Sequence, residues 1–200
     1  MRIESYSCAN ETINIPCPES YKDCIELIRS DYFRHKGKTA SLLIMYITGG
    51  RSFRYSFWLR MCSRKGCLFY PSILILKRLS YKYGLLIPHC TKIGYGFVIS
   101  HCMSVVINPK AVIGNNCNIS QFTTIGSNGE NAPVIGDEVY IAPQVSIVGD
   151  VSIGSRSTIG AGSVIVKSLP SDITAAGVPA KVISTKNHLE YIRRKWKIKV

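Results

Sequence analysis

No apolar run in this 200-residue chain approaches the ~18 residues that would cross a membrane. The longest, "SLLIMYI" (41–47) and "CLFYPSILIL" (67–76), stop well short. The opening "MRIESYSCAN" lacks the apolar segment of a secretory signal. Together these absences lead us to expect a soluble cytoplasmic protein. A CxxC pair is also missing: Cys8, Cys17, Cys24, Cys62, Cys67, Cys90, Cys102 and Cys117 are scattered without metal-ligand spacing. Reduced thiols packed as small apolar groups are expected, and no metal site. Acid is absent from Arg51 to Lys82, where eight Lys and Arg occur without one Asp or Glu, and residues 181–200 carry seven bases against Glu190. The net charge of +13 therefore sits in patches that attract anions: nucleic acid, anionic lipid headgroups, or a phosphate-bearing cofactor. No helix-turn-helix, zinc-finger or RNA-binding signature accompanies the charge, so nucleic acid is not the expected partner.

What the chain has in abundance is isoleucine at a fixed interval. Ile87, Ile93 and Ile99 are followed by Ile107, Ile113, Ile119 and Ile125, then by Ile135, Ile141, Ile147, Ile153, Ile159 and Ile165. The spacing is six except for an eight between Ile99 and Ile107 and a ten between Ile125 and Ile135. A period of six suits neither a helix nor an ordinary alternating strand. It suits a flat-sided coil in which each hexapeptide makes one short parallel strand and one turn, three make a circuit, and stacked circuits bury the isoleucines against one another. Thirteen positions give about four circuits. Glycine often follows the isoleucine, which we ascribe to turns with positive φ.

The expected fold is mainly β: a parallel β-helix over residues 85–183, preceded by a small α-helical region over 1–84 and followed by a basic tail over 184–200. Within the first region, "ESYKDCIELIRSDYFRHKG" (19–37) has helical spacing and a stop at Gly37. "FRYSFWLRMC" and "FYPSILILKRLSYKYG" read as two further helices, the second opening near Pro71 and closing at Gly84. After Pro179 the chain is expected to leave the coil as a basic helix or strap.

The stretch "TKIGYGFVISHCMSVVINPKAVIGNNCNISQFTTIGS", with the later "IGAGSVIVKSLPSDITAAGVPAKVI", resembles the hexapeptide acetyltransferases, in particular the serine acetyltransferase-like branch, which includes enzymes acetylating surface-polysaccharide sugars. The resemblance covers roughly residues 20–184. It implies a left-handed coil, a homotrimer, and acetyl-CoA as acyl donor in clefts between adjacent coils. It places the catalytic histidine at His101, inside the first slip, where an insertion must leave the stack as a loop. A neutral imidazole there can take the acceptor hydroxyl's proton and return it to the departing thiolate. It also implies that Ala142 lines the cofactor channel through its backbone, that Ala161 does likewise because a larger side chain would obstruct the pantetheine arm, and that Lys167 and Lys181 meet the phosphates. The second slip, "SNGENAP" (127–133), would lie near the acceptor.

The serine enzymes carry an Asp immediately before the histidine, where this chain has Ser100, and a second orienting Asp at the position of Leu86. They carry an Arg-His pair where this chain has Asn131 and Ala132. An amino acid acceptor needs charged partners. A sugar hydroxyl could be held by Ser100, Asn108, Gln121, Ser127 and Asn128, so a saccharide acceptor is the first expectation and L-serine the alternative. Lipid-linked acceptors would put the enzyme at the inner membrane face, where "RSFRYSFWLR" could rest or could equally pack on the coil. Some hexapeptide trimers resemble γ-type carbonic anhydrases, but only His89 and His101 lie in the coil here. A non-enzymatic scaffold is the remaining alternative.

Overall fold

The computed structural model describes residues 1–198. Its centre is a five-turn parallel coil of triangular section. The first face stacks Leu85–Leu86, Val105–Ile107, Thr124–Gly126, Ser146–Val148 and Val164–Ile165. The second stacks Lys92–Ile93, Val112–Ile113, Val134–Ile135 and Ser152–Ile153, and Leu169 bridges to Ile153. The third stacks Val98–Ile99, Asn118–Ile119, Tyr140–Ile141, Thr158–Ile159 and Thr174–Gly177, closed by the antiparallel Ala180–Ser184.

All thirteen isoleucines point inward, none more than 5% exposed. Twelve of them, all but Ile87, form three ladders in register: 93, 113, 135, 153; 99, 119, 141, 159; and 107, 125, 147, 165. Each contributes roughly 1.5–3 kcal/mol by leaving water. Leu85, Leu169 and Ala175 extend the stack, so the coil has five turns where the isoleucine count alone suggests four.

The glycines after the isoleucines have a different cause from the expected one. None of Gly94, Gly114, Gly136 and Gly154 has positive φ; a Cβ on Gly114 would sit 2.4 Å from the carbonyl oxygen of Gly136 in the next turn. The left-handed position in these turns comes two residues later, at Gly96, Asn116, Glu138 and Arg156. Close stacking of backbone on backbone is what requires glycine there.

Residues 2–17 are not helical. They form a hairpin, β1 (Arg2–Cys8) and β2 (Glu11–Cys17), turning at Ala9 with φ 52°. Cys8, Ile13 and Ile15 pack on Val112 and Val134, covering the second face, and Asn115 donates to the Asn14 carbonyl at 3.1 Å.

Four helices follow: α1 (Tyr21–Lys36), α2 (Leu42–Thr48), α3 (Gly50–Met61) and α4 (Phe69–Tyr83). Ser20 and Asp23 form a reciprocal capping box at the start of α1, and Gly37 ends it with φ 72°. The aromatic run at 51–60 is α3, with Phe53, Tyr55, Ser56, Leu59 and Arg60 buried, so these residues pack inward instead of facing a membrane. Among the described residues no helix is long and apolar enough to cross one.

A buried ion pair fixes the helices on the coil. Arg60 donates to Asp31 through Nε at 2.9 Å and Nη2 at 3.0 Å, and to the carbonyls of Ile93 and Gly94 at 2.7 and 2.6 Å. Asp31 accepts the Phe97 amide at 2.8 Å. Both side chains are almost fully buried, yet their donors and acceptors are matched, which is the condition for such a pair to hold.

The C-terminal segment is a strap with one short 3-10 turn, Leu189–Tyr191. Asn118 donates to the Tyr191 carbonyl at 2.8 Å, Trp196 donates to Asn116 at 2.8 Å, and Lys195 pairs with Glu138 at 2.7 Å. Arg34 of α1 donates to the Arg193 carbonyl at 2.8 Å and to Asn118 at 2.7 Å, locking strap, helix and coil together. The strap covers the third face. Below α4, no helix or strand among the described residues packs extensively on the first face, where Leu86 and Val106 are 56% and 40% exposed.

Candidate active site

Dealing the isoleucines into their ladders sorts the expected site residues onto the edges of the prism. The turns after Ile99, Ile119, Ile141 and Ile159 make the edge between third and first faces, and they carry His101, Gln121, Ala142 and Ala161. Backbone bonds step down this edge: Ser100 to Ile119 at 2.8 Å, Ser120 to Ile141 at 3.0 Å, Ala142 to Ile159 at 3.0 Å, and Gly160 to Ala175 at 2.8 Å. With turns about 4.8 Å apart, His101 stands about 14 Å above Ala161. Lys181 lies at the foot, opposite Ala176, which a Cβ on Gly160 would touch at 2.9 Å.

Two expected residues fall elsewhere. Asn108 follows Ile107 and Lys167 follows Ile165, so both belong to the edge between first and second faces, together with the loop 127–133. Asn108 accepts the Lys110 amide at 2.9 Å, Lys110 reaches the Glu130 carbonyl at 2.9 Å, and Asn131 donates to Asp150 at 2.8 Å. Within one chain the bare first face separates the two groups.

The two-residue slip becomes a loop held at both flanks. Before it, the Ser52 hydroxyl of α3 donates to the Ile99 carbonyl. After it, Ser104 donates to the Tyr83 carbonyl at 2.9 Å, packed beneath Gly84, whose φ of 65° closes α4. In the middle Cys102 turns inward to 8% exposure. Burial pushes its thiol up to about 11 against the pull of Arg51, which makes it a plug, not a nucleophile.

His101 is left exposed. Regular turns of this edge have one residue of positive φ, at Phe122, Gln144 and Gly162; the His101 loop has three, at His101, Cys102 and Ser104. Backbone strain concentrated beside an exposed imidazole is a mark of a functional loop. Among the described residues, the His101 ring has no hydrogen-bond partner, and the amides of residues 101–103 donate to none. Among the described residues no carboxylate bonds the ring where the serine enzymes have two aspartates: Ser100 donates its amide to the coil, and Leu86 lies on the bare face.

Two residues of this edge, Met103 and Phe122, are not among those the sequence singles out. Met103 and Phe122 are 51% and 48% exposed and joined by a backbone bond of 3.3 Å, giving the histidine an apolar flank. Gln121 lies one turn below, its buried Oε1 without a partner among the described residues. Counting each residue from its own isoleucine ladder finds Met103 and Phe122 and sets the expected Gln121 beneath His101. Clefts of about 340 and 280 Å³ lie against the top of the coil, and neither includes His101. No three His, Cys, Asp or Glu side chains converge among the described residues.

Comparison with known proteins bears on the family and the fold. The family description "Bacterial transferase hexapeptide (six repeats)" matches residues 132–167. A serine acetyltransferase of Buchnera aphidicola is 33% identical over 131 residues, 63% of this chain and 48% of that protein, so the chain spans about half the length of this curated relative. The solved serine acetyltransferase of Neisseria gonorrhoeae, in complex with serine, is 30% identical with a TM-score of 0.66, covering 80% of this chain and 69% of that one. A serine acetyltransferase in complex with CoA is 25% identical with a TM-score of 0.67, covering 81% and 70%. These likenesses give the coil its left hand.

Proposed function

Because the chain belongs to the hexapeptide-repeat transferase family, we propose that it is an acetyl-CoA-dependent O-acetyltransferase with His101 as general base. The observation that carries this reading is the exposed, strained His101 at the head of an edge with small residues below it and a lysine at its foot.

That edge suits an extended thioester donor. Ala142 and Ala161 leave room for a flexible arm, and Lys181 offers a charge to phosphates about four turns from the imidazole. The donor supplies the acetyl group as a thioester. His101 accepts the proton of the acceptor hydroxyl as its oxygen attacks the carbonyl carbon, and it protonates the sulfur as the C–S bond breaks, leaving an O-acetyl ester and CoA. The unpaired amides of residues 101–103 are suited to receive the negative charge that develops on the carbonyl oxygen.

A bare face between two functional edges calls for other copies of the chain. A heterologous contact that closes into a ring lays one edge of each copy beside the other edge of its neighbour. In a homotrimer, His101 of one copy would thereby meet Asn108, the loop 127–133 and Lys167 of the next. This arrangement reconciles the split of the site residues.

L-serine is the acceptor favoured by the relatives' names, and the saccharide preference drawn from the sequence has no support among them. The saccharide remains as a second reading on one observation, the absence of carboxylates at Ser100 and Leu86. Acetyl-CoA consumption measured with L-serine beside nucleotide sugars distinguishes the two. Turnover on serine is the expected result; turnover on sugars alone would replace serine, and none on any hydroxyl acceptor would overturn acetyl transfer.

A further inference from the structure

A second site lies away from the His101 edge, where the hairpin, the end of α3 and the first turn of the coil enclose a cleft of about 340 Å³. We propose that this cleft binds a small organic anion, a carboxylate or phosphate monoester with a short apolar body. Within one chain the cleft is separate from the proposed donor edge: it opens around residues 89–93, between first and second faces, whereas His101 and Lys181 border the third.

Charge makes the first argument. Arg2, Arg60, Lys65 and Lys92 line the cleft, and no Asp or Glu does. Arg60 is fully engaged by Asp31 and two carbonyls. Arg2 and Lys92 have one carboxylate, that of Glu4, between them at ion-pair distance, and exposed Lys65 has none among the described residues.

The lining makes the second. Leu27, Cys62 and Ile93, at most 5% exposed, supply an apolar floor on which a charge is less screened than in water. Thr91, also in the lining and 8% exposed, has a hydroxyl without a partner among the described residues, an unusual state for a buried polar group. The volume falls in the range of small-molecule sites. An oxyanion would engage Lys65 and the excess charge of Arg2 and Lys92, while the apolar body covers the floor.

His89 provides an internal reporter. Its imidazole is held below the usual histidine range by burial and by the charge of Lys65, so an anion bound beside it will raise that value. The experiment follows His89 by NMR titration in the full chain at constant ionic strength, with inorganic phosphate and, separately, butanoate.

A saturable rise of the His89 titration midpoint with either probe is expected. It is lost in Lys65→Ala, weakened about tenfold in Thr91→Val, and retained in Lys181→Ala. A midpoint unmoved by both probes would overturn the proposal, as would an effect that survives Lys65→Ala or disappears in Lys181→Ala. Lys65 is exposed, so its replacement leaves the fold intact and keeps the test valid if the Thr91 variant does not fold.

Discussion

At the scale of single residues, the proposed donor edge depends on what side chains leave out. Ala161 is exposed and Ala142 is 7% exposed, so enlarging the first should obstruct a ligand without disturbing the core. Ala161→Leu is expected to raise KM for acetyl-CoA at least tenfold with an unchanged melting temperature; steady-state kinetics beside a thermal melt check both. This edge was only partly legible in the sequence. The hexapeptide period places His101 in a slip, but Asn108 and Gln121 look equivalent until residues are counted around the coil. The count puts Gln121 under His101 and Asn108 on another edge. The glycine after each isoleucine was legible as a pattern, whereas its cause, backbone contact with the next turn, depends on a stacking distance that no local rule contains.

At the scale of elements, the ladders and the Asp31–Arg60 clamp carry the stability. Ile141→Ala should cost about 2–5 kcal/mol by opening a cavity between Ile119 and Ile159, measured by urea unfolding. Asp31→Asn leaves Arg60 without its counter-ion inside the protein and should cost about 3–5 kcal/mol by the same measurement.

The hairpin adds a dependence on pH. The Tyr6 hydroxyl, aided by Lys92 and opposed by burial, holds the Glu4 carboxyl down to about 2. A depressed folded value stabilises the protein above the unfolded value near 4.5 and ceases to do so as pH falls through 2. Urea midpoints at pH 7 and pH 3 should therefore fall less in Glu4→Gln than in the parent chain. The hairpin's alternation of Tyr6 and Cys8 against Ile13, Ile15 and Cys17 is visible in the sequence, but two seven-residue strands carry it weakly beside the helical spacing that follows at 19–37. The strap has no periodicity: its contacts run through backbone groups to Asn116 and Asn118, so composition could not announce it.

At the scale of the whole molecule, the chain covers two faces of its own prism and leaves one bare. A trimer that uses this bare first face should sediment at three times the chain mass, and Val106→Glu, on that face, should shift it to monomer with loss of activity. A stable, active monomer would contradict a site completed by a neighbour.

The central claim is that His101 moves the proton. Acetyl-CoA turnover by His101→Ala, measured beside the parent chain at saturating acceptor, should fall by about 10²–10⁴-fold with unchanged sedimentation and CoA affinity. Turnover equal to that of the parent would contradict the account.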